Sequence, residues 1–478
     1  MSIFGSLESS ANTLDVLQRA LDVSQNNVSN ASTPGYAPQS LSLESQAFEP
    51  AQGLVGGVSA GELQSARDQY ADAEVRRQME SLGTFEQQVP TLTAIETALN
   101  MSGTSGIPGA MTALWQSFSA WSVDPNSATA RQSVLDAATS MAQSFQRTAT
   151  AVSQAGSDAE QHIQGVVQQI NDLGAKLQDL NTKMQGAAEP DPGLDAQMQS
   201  TLEQLSELAD FTALRQPDGT VTVLLGGQTP LVIGKTEYQL QAAAQNAASP
   251  PPTNANAPAQ IRIISAQGQD ITDQISQGQL GGLLQVRNRI VPGLIGDAWQ
   301  TGDLNRMAEG LAGRVNELLT SGNISDGPPP QPGINLFSYD TSNPTNVARS
   351  LSVNPSITPD QLAAIDPGPP YSSNGIALRL ANLSAPTSSA DQIDGQSYLD
   401  FFGNTAAALG RKLSDAQDGQ DTQTQAVAQA KSLRDQISGV SLDEEAMHVL
   451  EFQRSYEAAS KLVSVLNDLT QTIINLIH

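Results

Sequence analysis

The side chains that most often perform chemistry in enzymes are scarce in this sequence. The chain has no cysteine and three histidines, His162, His448 and His478, and none of these histidines belongs to a recognisable base or ligand motif. The residue spacings of P-loops, dinucleotide-binding loops and zinc proteases are missing from the sequence. We therefore predict that the protein is not an enzyme, that it uses no cofactor, and that it has no catalytic or metal-binding residues.

Two acidic clusters could suggest a metal site, but a structural interpretation accounts for them. Asp415, Asp418 and Asp421 do not follow the alternating pattern of a calcium loop, and no glutamate stands at the twelfth position. Ser441 and Glu444 have the spacing of a helix capping box, and acidic residues are favoured in the first turn of a helix. We assign neither cluster a catalytic or metal-binding role.

The strongest periodic signal lies at the two ends of the chain. Apolar residues recur there every seven positions, which keeps one apolar seam on one side of an α-helix, as in a coiled coil. The N-terminal seam contains Ile3, Leu7, Leu14, Leu17, Leu21 and Val28. The C-terminal seam contains Leu442, Val449, Phe452, Tyr456, Ala459, Val463, Leu466, Ile473 and Ile477. We expect the two helices to pack together or onto neighbouring copies, and ordinary amphipathic helices of a monomeric bundle are the alternative.

The composition limits the partners and the compartment. The 478 residues include 23 Lys and Arg against 49 Asp and Glu, which gives a net charge of −26. This charge argues against binding to nucleic acid or to an anionic membrane surface. No apolar run reaches the length of about 18 residues that predicts a membrane-spanning helix. The first residues also lack the basic and apolar regions of a cleaved signal peptide. We expect a protein that is either cytosolic or exported without cleavage of a signal.

The order of the patterns predicts a mainly α-helical, multidomain fold, in which N- and C-terminal helices pair in a coiled-coil-like bundle around an inserted β-rich module. Pro34-Gly35 fits a type II turn, Pro90 is expected to break or kink a helix, and Asp218-Gly219 is expected to close a β-hairpin. The predicted parts are residues 1–60 (N-terminal helix and extended segment), 61–207 (first part of a helical bundle), 208–281 (β-rich module), 282–435 (second part of the bundle, with short strands at 334–396) and 436–478 (C-terminal helix pairing with the N-terminal one).

The N-terminal motif resembles the shared start of bacterial flagellar axial proteins. The matching residues are Asn26, Asn27, Val28, Asn30, Thr33, Pro34, Gly35 and Tyr36. The segment SGVSLDEEAMHVLEFQRSYEAA is similar to the end of the flagellar hook-associated protein 1 family, and GQLGGLLQVRNRIVPG resembles a central segment of that family. The chain departs from it at Ala37-Pro38, where relatives often have Ser-Arg, so a contact made by that arginine is not expected here.

The resemblance implies a structural role at the junction between the flagellar hook and the filament. It implies these partners: copies of the chain in a ring or tube, the flagellar hook protein, a second hook–filament junction protein and a flagellar export chaperone. It also implies export without a cleaved signal peptide and an extracellular location on the flagellum. Another axial protein of the hook or rod, or a secreted coiled-coil effector, remains the alternative.

The predicted assembly interface combines the two seams with the N-terminal motif. Its residues are Leu7, Leu14, Leu17, Leu21, Asn26, Asn27, Val28, Pro34, Gly35, Tyr36, Leu442, Val449, Phe452, Tyr456, Val463, Leu466 and Ile473.

Overall fold

The computed structural model describes residues 3–49, 54–99, 105–187, 191–246 and 250–477. His478, residues 247–249 and the side chains of the seam residues Ile3 and Ile477 lie outside this description. The sequence-based expectations for these positions therefore have no structural counterpart below.

Long helices dominate the described residues. The helices are α1 Ile3–Asn30, α2 Gln69–Leu99, α3 Gly106–Val123, α4 Ala128–Gly186, α5 Pro192–Leu208, α6 Gly278–Gln285, α7 Val291–Ile295, α8 Asp303–Ser321, α9 Val347–Ser350, α10 Gly375–Asn382, α11 Tyr398–Ser438 and α12 Leu442–Ile477. A π-helical turn, Val286–Ile290, joins α6 to α7. The predicted fold class is confirmed: the chain is mainly helical, its terminal helices pair, and strands lie in its central region.

The strands form small antiparallel sheets. They are β1 Gln39–Glu49, β2 Leu54–Ser65, β3 Phe211–Arg215, β4 Val221–Leu225, β5 Thr229–Ile233, β6 Thr236–Glu237, β7 Gln241–Ala244, β8 Ile261–Ile264, β9 Asn323–Ser325, β10 Gln331–Pro332, β11 Phe337–Ser338 and β12 Ser352–Val353. Strands β3 to β6 form one sheet in sequence order, and β1–β2, β7–β8, β9–β10 and β11–β12 form two-stranded sheets. The predicted hairpin at Asp218-Gly219 is confirmed as the connection between β3 and β4.

The chain divides into two compact units. Unit 1 contains residues 1–82, 170–239 and 423–478, and unit 2 contains residues 83–169 and 240–422. The boundaries fall inside α2, α4 and α11 and between β6 and β7, so residues 208–281 do not form one module. A continuous amphipathic helix gives no break in pattern where it passes from one unit to the next, which is why these boundaries differ from the predicted ones.

Unit 2 is built around aromatic residues of α3. Phe118 and Trp121 are fully buried among apolar side chains from α4, α8 and α11. The segment GQLGGLLQVRNRIVPG forms α6, the π-helical turn and the start of α7, and its Asn288 binds strand β8. The Asn288 side chain accepts from the backbone nitrogen of Ile261 at 2.9 Å and donates to the Ile261 carbonyl at 2.8 Å. Gly282 allows α6 to approach α2 closely, because a Cβ atom there would lie 2.4 Å from the carbonyl oxygen of Thr84.

Two local predictions are corrected by the structure, and of the break or kink expected at Pro90 the break is absent. Residues 61–65 belong to strand β2, and the helix predicted from residue 61 begins at Gln69, because β2 pairs with β1 as far as Ser65. Helix α2 continues through Pro90 without a break, since Leu92 and Ile95 extend its buried face. Residues 375–382, expected among short strands, form α10, in which Ile376, Ala377 and Leu380 are buried at helical spacing.

Candidate assembly surface at the paired terminal helices

Helices α1 and α12 pack against each other within unit 1 and run antiparallel. Asn27, near the end of α1, contacts Glu445, in the first turn of α12. The covered face of α12 continues from Glu445 to Thr470, and α1 supplies its main contacts. A helix of 28 residues is about 42 Å long, enough to cover this stretch only in the antiparallel direction. The hairpin β1–β2 packs on another side of α1.

The structure distributes the predicted residues of α1 over two environments. Leu17 is buried, and Leu7, Leu14 and Leu21 are half-buried, whereas Val28 is 40% exposed. The centre of the buried face is rotated from the predicted seam and consists of Val16, Leu17, Ala20, Ser24 and Asn27. The rotation follows from the hairpin, which covers α1 on a side that the heptad pattern leaves polar. We refer to Leu7, Leu14, Leu21 and Val28, which lie at the edge of the covered face, as the α1 ridge.

The predicted seam of α12 faces α1 over most of its length. Val449, Phe452, Val463 and Leu466 are half-buried there. Tyr456, Leu442 and Ile473 are more open, with exposures of 36%, 55% and 40%.

Helix α12 also carries an apolar surface that the heptad analysis missed. Five large apolar side chains of α12 are 49–63% exposed. By the helical period, Met447, Leu450 and Val465 lie on the side away from the seam, and Leu462 and Leu469 lie on its flank. We call this set the outer stripe. A count of apolar residues at spacings of three and four, outside the best heptad, could have detected it. Within the described residues the outer stripe is not covered by another element.

A polar cluster closes the end of the helix pair. Asn27 Nδ2 donates to the carbonyl oxygen of Gln39 at 2.8 Å and to Glu445 Oε1 at 2.7 Å. Asn27 Oδ1 accepts from the backbone nitrogen of Gln39 at 3.0 Å and from the hydroxyl of Tyr36 at 2.8 Å. Asn27 is fully buried and Glu445 is 9% exposed, and the second carboxylate oxygen of Glu445 is buried without a partner. We call these four residues the Asn27 cluster.

The environment of Tyr36 keeps its hydroxyl group a donor. Burial raises the pKa of Tyr36 to about 12, and the negative charge of Glu445 acts in the same direction. The phenol therefore stays protonated at physiological pH and can donate to Asn27.

The predicted type II turn at Pro34-Gly35 is confirmed and is held in place from outside. Tyr36 N donates to the carbonyl oxygen of Thr33 at 3.1 Å, and Gly35 has a φ of +74°. A Cβ atom at Gly35 would lie 2.7 Å from the carbonyl oxygen of Ala196, so glycine is required for both backbone conformation and space. Pro34 itself is exposed.

Arg67 fastens this turn to the remainder of unit 1. Its guanidinium donates to the Gly35 carbonyl at 2.6 Å, to Asp195 at 2.7 Å and to Asp72 at 3.0 Å. The side chains of Arg67, Asp72 and Asp195 are only 7%, 3% and 14% exposed. Arg215 also pairs with Asp195. The turn after α1 is thus hydrogen-bonded to Arg67. Ion pairs then connect Arg67 to Asp72 of α2 and Asp195 of α5, and Asp195 to Arg215 of β3.

The stability of unit 1 is expected to fall between pH 5 and pH 8 because of Glu80. Burial raises the pKa of Glu80 to about 7, with a hydrogen bond from the Phe211 backbone opposing and the charge of Asp210 adding to the rise. The folded state therefore binds a proton more tightly than the unfolded chain. This contribution to the free energy of unfolding is fully present below pH 4.5 and is lost as the pH rises through 7, about 3 kcal/mol in all.

Urea unfolding of the protein and of Glu80→Gln at pH 5 and pH 8 checks this expectation. From pH 5 to pH 8, the free energy of unfolding of the variant should rise by about 2 kcal/mol relative to that of the parent. Glu62→Gln, at an exposed position of β2, is the matched control and should run parallel to the parent. Parallel behaviour of Glu80→Gln would contradict the expectation.

Other candidate sites of the sequence have structural explanations. Asp415, Asp418 and Asp421 lie within the continuous helix α11, which cannot form a calcium loop. His448 is exposed and stacks on Phe452 with ring centroids 5.9 Å apart. The described part of the chain contains no cluster of three or more residues suited to a metal ion, and none of its helices is long and apolar enough to cross a membrane.

Paired terminal helices with an uncovered apolar stripe are typical of structural proteins that assemble from many copies. Comparison with protein families specifies this class. The family model described as "Flagellar hook-associated protein FlgK helical domain" matches residues 92–337, more than half of the chain. The chain therefore belongs to the flagellar hook-associated protein FlgK family. A second model, "Flagellar basal body rod FlgEFG protein C-terminal", matches residues 431–476.

Individual relatives agree with this assignment over nearly the full length. The chain is 26% identical over 517 aligned residues to flagellar hook-associated protein 1 of Bacillus subtilis strain 168, covering 99% of this chain and 98% of the relative. It is 21% identical over 554 aligned residues to the protein of the same name from Escherichia coli K12, covering 97% and 98%. The solved structure of the flagellar hook junction protein FlgK from Burkholderia pseudomallei shares the fold, with a TM-score of 0.61, 15% identity, and coverage of 75% of this chain and 99% of that one.

Proposed function

We propose that this protein is a structural subunit of the bacterial flagellum that forms the junction between hook and filament and is needed for filament assembly. The observation that carries the proposal is the outer stripe, an uncovered apolar surface on the terminal helix of a chain from the hook-associated family. An exposed apolar surface does not stabilise a monomer, because apolar side chains contribute favourable free energy only when another surface buries them.

We infer that copies join through the outer stripe and the α1 ridge. The outer stripe of one copy meets the α1 ridge of the next, and the α1–α12 pair within each copy remains intact. The five side chains of the outer stripe are about half exposed, so covering each would contribute about 1 kcal/mol. Two different surfaces meet in this contact, so it is heterologous and generates a ring or a tube.

The remaining partners and the location follow from the family. Within the proposal, the ring of copies rests on the hook protein and carries a second junction protein above it. A flagellar export chaperone binds the chain before export, which proceeds without cleavage of a signal peptide. The finished subunit is extracellular, at the hook–filament junction, and acts as a structural component and not as an enzyme.

A hook or rod subunit is the second candidate function. The match of residues 431–476 to the rod-protein C-terminal model favours it, because that segment is shared among axial proteins. The match of residues 92–337 to the hook-associated helical domain favours the junction.

Deletion of the gene in its host is the test of the proposed function. Cells that complete their hooks, lack filaments and release flagellin into the medium are the expected result. Attached filaments in the deletion strain would contradict it, and a block before the hook is finished would indicate a rod or hook subunit. Expression of the gene from a plasmid is the control.

A further inference from the structure

The apolar seams of α1 and α12 do not by themselves define one alignment of the two helices. Both seams repeat every seven residues, so a shift of α12 by one heptad exchanges Phe452, Ala459 and Leu466 for one another opposite α1. Each shifted alignment still buries apolar side chains on apolar side chains. Some other feature must therefore select the alignment that the structure shows.

We propose that Asn27 and Glu445 are the positioning residues that fix the register of the terminal helix pair, an inference that rests on the proposed function for its role in assembly. Their side chains meet across the helix pair, with Asn27 Nδ2 2.7 Å from Glu445 Oε1. Asn27 Nδ2 also donates to the carbonyl oxygen of Gln39, and Asn27 Oδ1 accepts from the Gln39 backbone nitrogen and the Tyr36 hydroxyl. Asn27 is thus immobilised by the segment after α1 and presents one donor in one direction.

Every heptad shift breaks this arrangement at a large cost. A shift separates the Glu445 carboxylate from its donor, the Asn27 amide. The other carboxylate oxygen of Glu445 is already buried without a partner, so both oxygens would then lack one. A shift in one direction places the apolar Phe452 opposite the Asn27 amide group, and a shift in the other direction moves the first turn of α12 beyond it. Buried charged or polar groups without partners are strongly unfavourable, so the shifted alignments are excluded while the apolar contacts remain nearly equal. Single buried polar residues select register in coiled coils in the same way.

The register matters because it sets where the outer stripe lies along the α1 ridge. A shift of one heptad moves α12 by about 10 Å along its axis. The outer stripe of one copy would then fail to match the ridge of the next, although each copy is folded.

Disulfide trapping in the purified full-length chain measures the register directly, because the natural sequence has no cysteine. Thr13 lies fourteen residues before Asn27, and Ala459 lies fourteen residues after Glu445, so we expect the antiparallel alignment set by the Asn27–Glu445 contact to bring these two positions together. Three double variants are compared under mild oxidation, each carrying Thr13→Cys together with Ala459→Cys, Phe452→Cys or Leu466→Cys. A disulfide needs Cα atoms about 4.4–6.8 Å apart, so each pair reports one register.

We expect the Thr13→Cys/Ala459→Cys pair to cross-link at least about tenfold faster than either shifted pair. Adding Asn27→Ala should reduce this preference to about threefold or less, and Asn27→Asp should do the same by placing two carboxylates together. The combination Asn27→Asp with Glu445→Gln should restore the preference, because the new amide donates to the new carboxylate. Asn26→Ala is the matched control: Asn26 is the exposed neighbour in the same motif and should leave the preference unchanged.

Two results would overturn the proposal. One is equal cross-linking of all three pairs in the chain with natural Asn27 and Glu445. The other is an undiminished preference in both Asn27→Ala and Asn27→Asp. The readout needs no flagellum, so its failure is distinct from a failure of the deletion experiment to show a junction role.

Discussion

Substitution Val465→Asp is expected to abolish incorporation of the protein into flagella while the isolated chain stays folded. Val465 is 55% exposed and lies between Leu462 and Leu469 of the outer stripe, so it contributes little to the helix pair of its own copy. In the proposed assembly its side chain is covered by the next copy, where an unpaired carboxylate costs several kcal/mol. Since every 1.4 kcal/mol is a factor of ten in affinity, we expect incorporation to fall at least a hundredfold.

The neighbouring residues supply matched controls of the same size and charge. Ser464 is exposed on the side of α12 between the outer stripe and the face toward α1, so Ser464→Asp should assemble normally. Leu466 is half-buried against α1, so Leu466→Asp should disturb the helix pair within the monomer and also prevent incorporation. Unit 2 should remain folded in all three variants.

Swarming on soft agar and the amount of flagellin in the medium measure incorporation, and circular dichroism of the purified chains measures helix content. Normal filaments with Val465→Asp would show that the outer stripe is not an assembly contact. Equal defects for Val465→Asp and Ser464→Asp would show that added charge, and not its position, is responsible.

Substitution Arg67→Ala is expected to lower the free energy of unfolding of unit 1 by about 3–5 kcal/mol. The guanidinium is 7% exposed and neutralises Asp72 and Asp195, which are themselves buried. Asp195 keeps Arg215 as a partner in the variant, but Asp72 has one carboxylate oxygen that is already without a partner and would lose its cation. The carbonyl of Gly35 would lose its donor as well, so the turn after α1 should loosen.

Arg77→Ala is the matched control for this loss. Arg77 is 68% exposed and pairs with Glu74 one turn away, an arrangement worth about 0.5 kcal/mol or less. Urea unfolding followed by circular dichroism gives both free energies, and hydrogen exchange at residues 30–40 reports the turn. A loss below about 1 kcal/mol with Arg67→Ala would show that the buried ion pairs do not stabilise unit 1.

The sequence contained enough information to predict the paired terminal helices. Two helices that pair must each present a continuous apolar side, and the repeats that include Leu14 and Val449 show such a side in each helix. It contained less information about the face of α1 that is most buried. That face depends on contact with the hairpin β1–β2, and the glycine-rich second strand of the hairpin has the composition of a loop. The contact with the hairpin buries a further side of α1, which the seven-residue repeat does not show.

The polar contacts were the least predictable part of the candidate site. Asn27 stood out as a member of a motif, but nothing in its spacing indicates that it faces Glu445, a residue more than 400 positions away. Arg67 belongs to no motif at all, and its importance arises from burial beside Asp72 and Asp195. The boundaries of the two units were equally hidden, since α2, α4 and α11 pass through them with unbroken helical patterns.

The outer stripe and the α1 ridge are different surfaces, and this has a kinetic consequence for the proposed assembly. An incomplete arc of copies always ends in one uncovered stripe and one uncovered ridge. Each added copy before closure covers a single contact, whereas the last copy covers two at once. Arcs should therefore exchange subunits readily and closed rings very slowly, so that the structure matures in an all-or-none step once the final copy arrives.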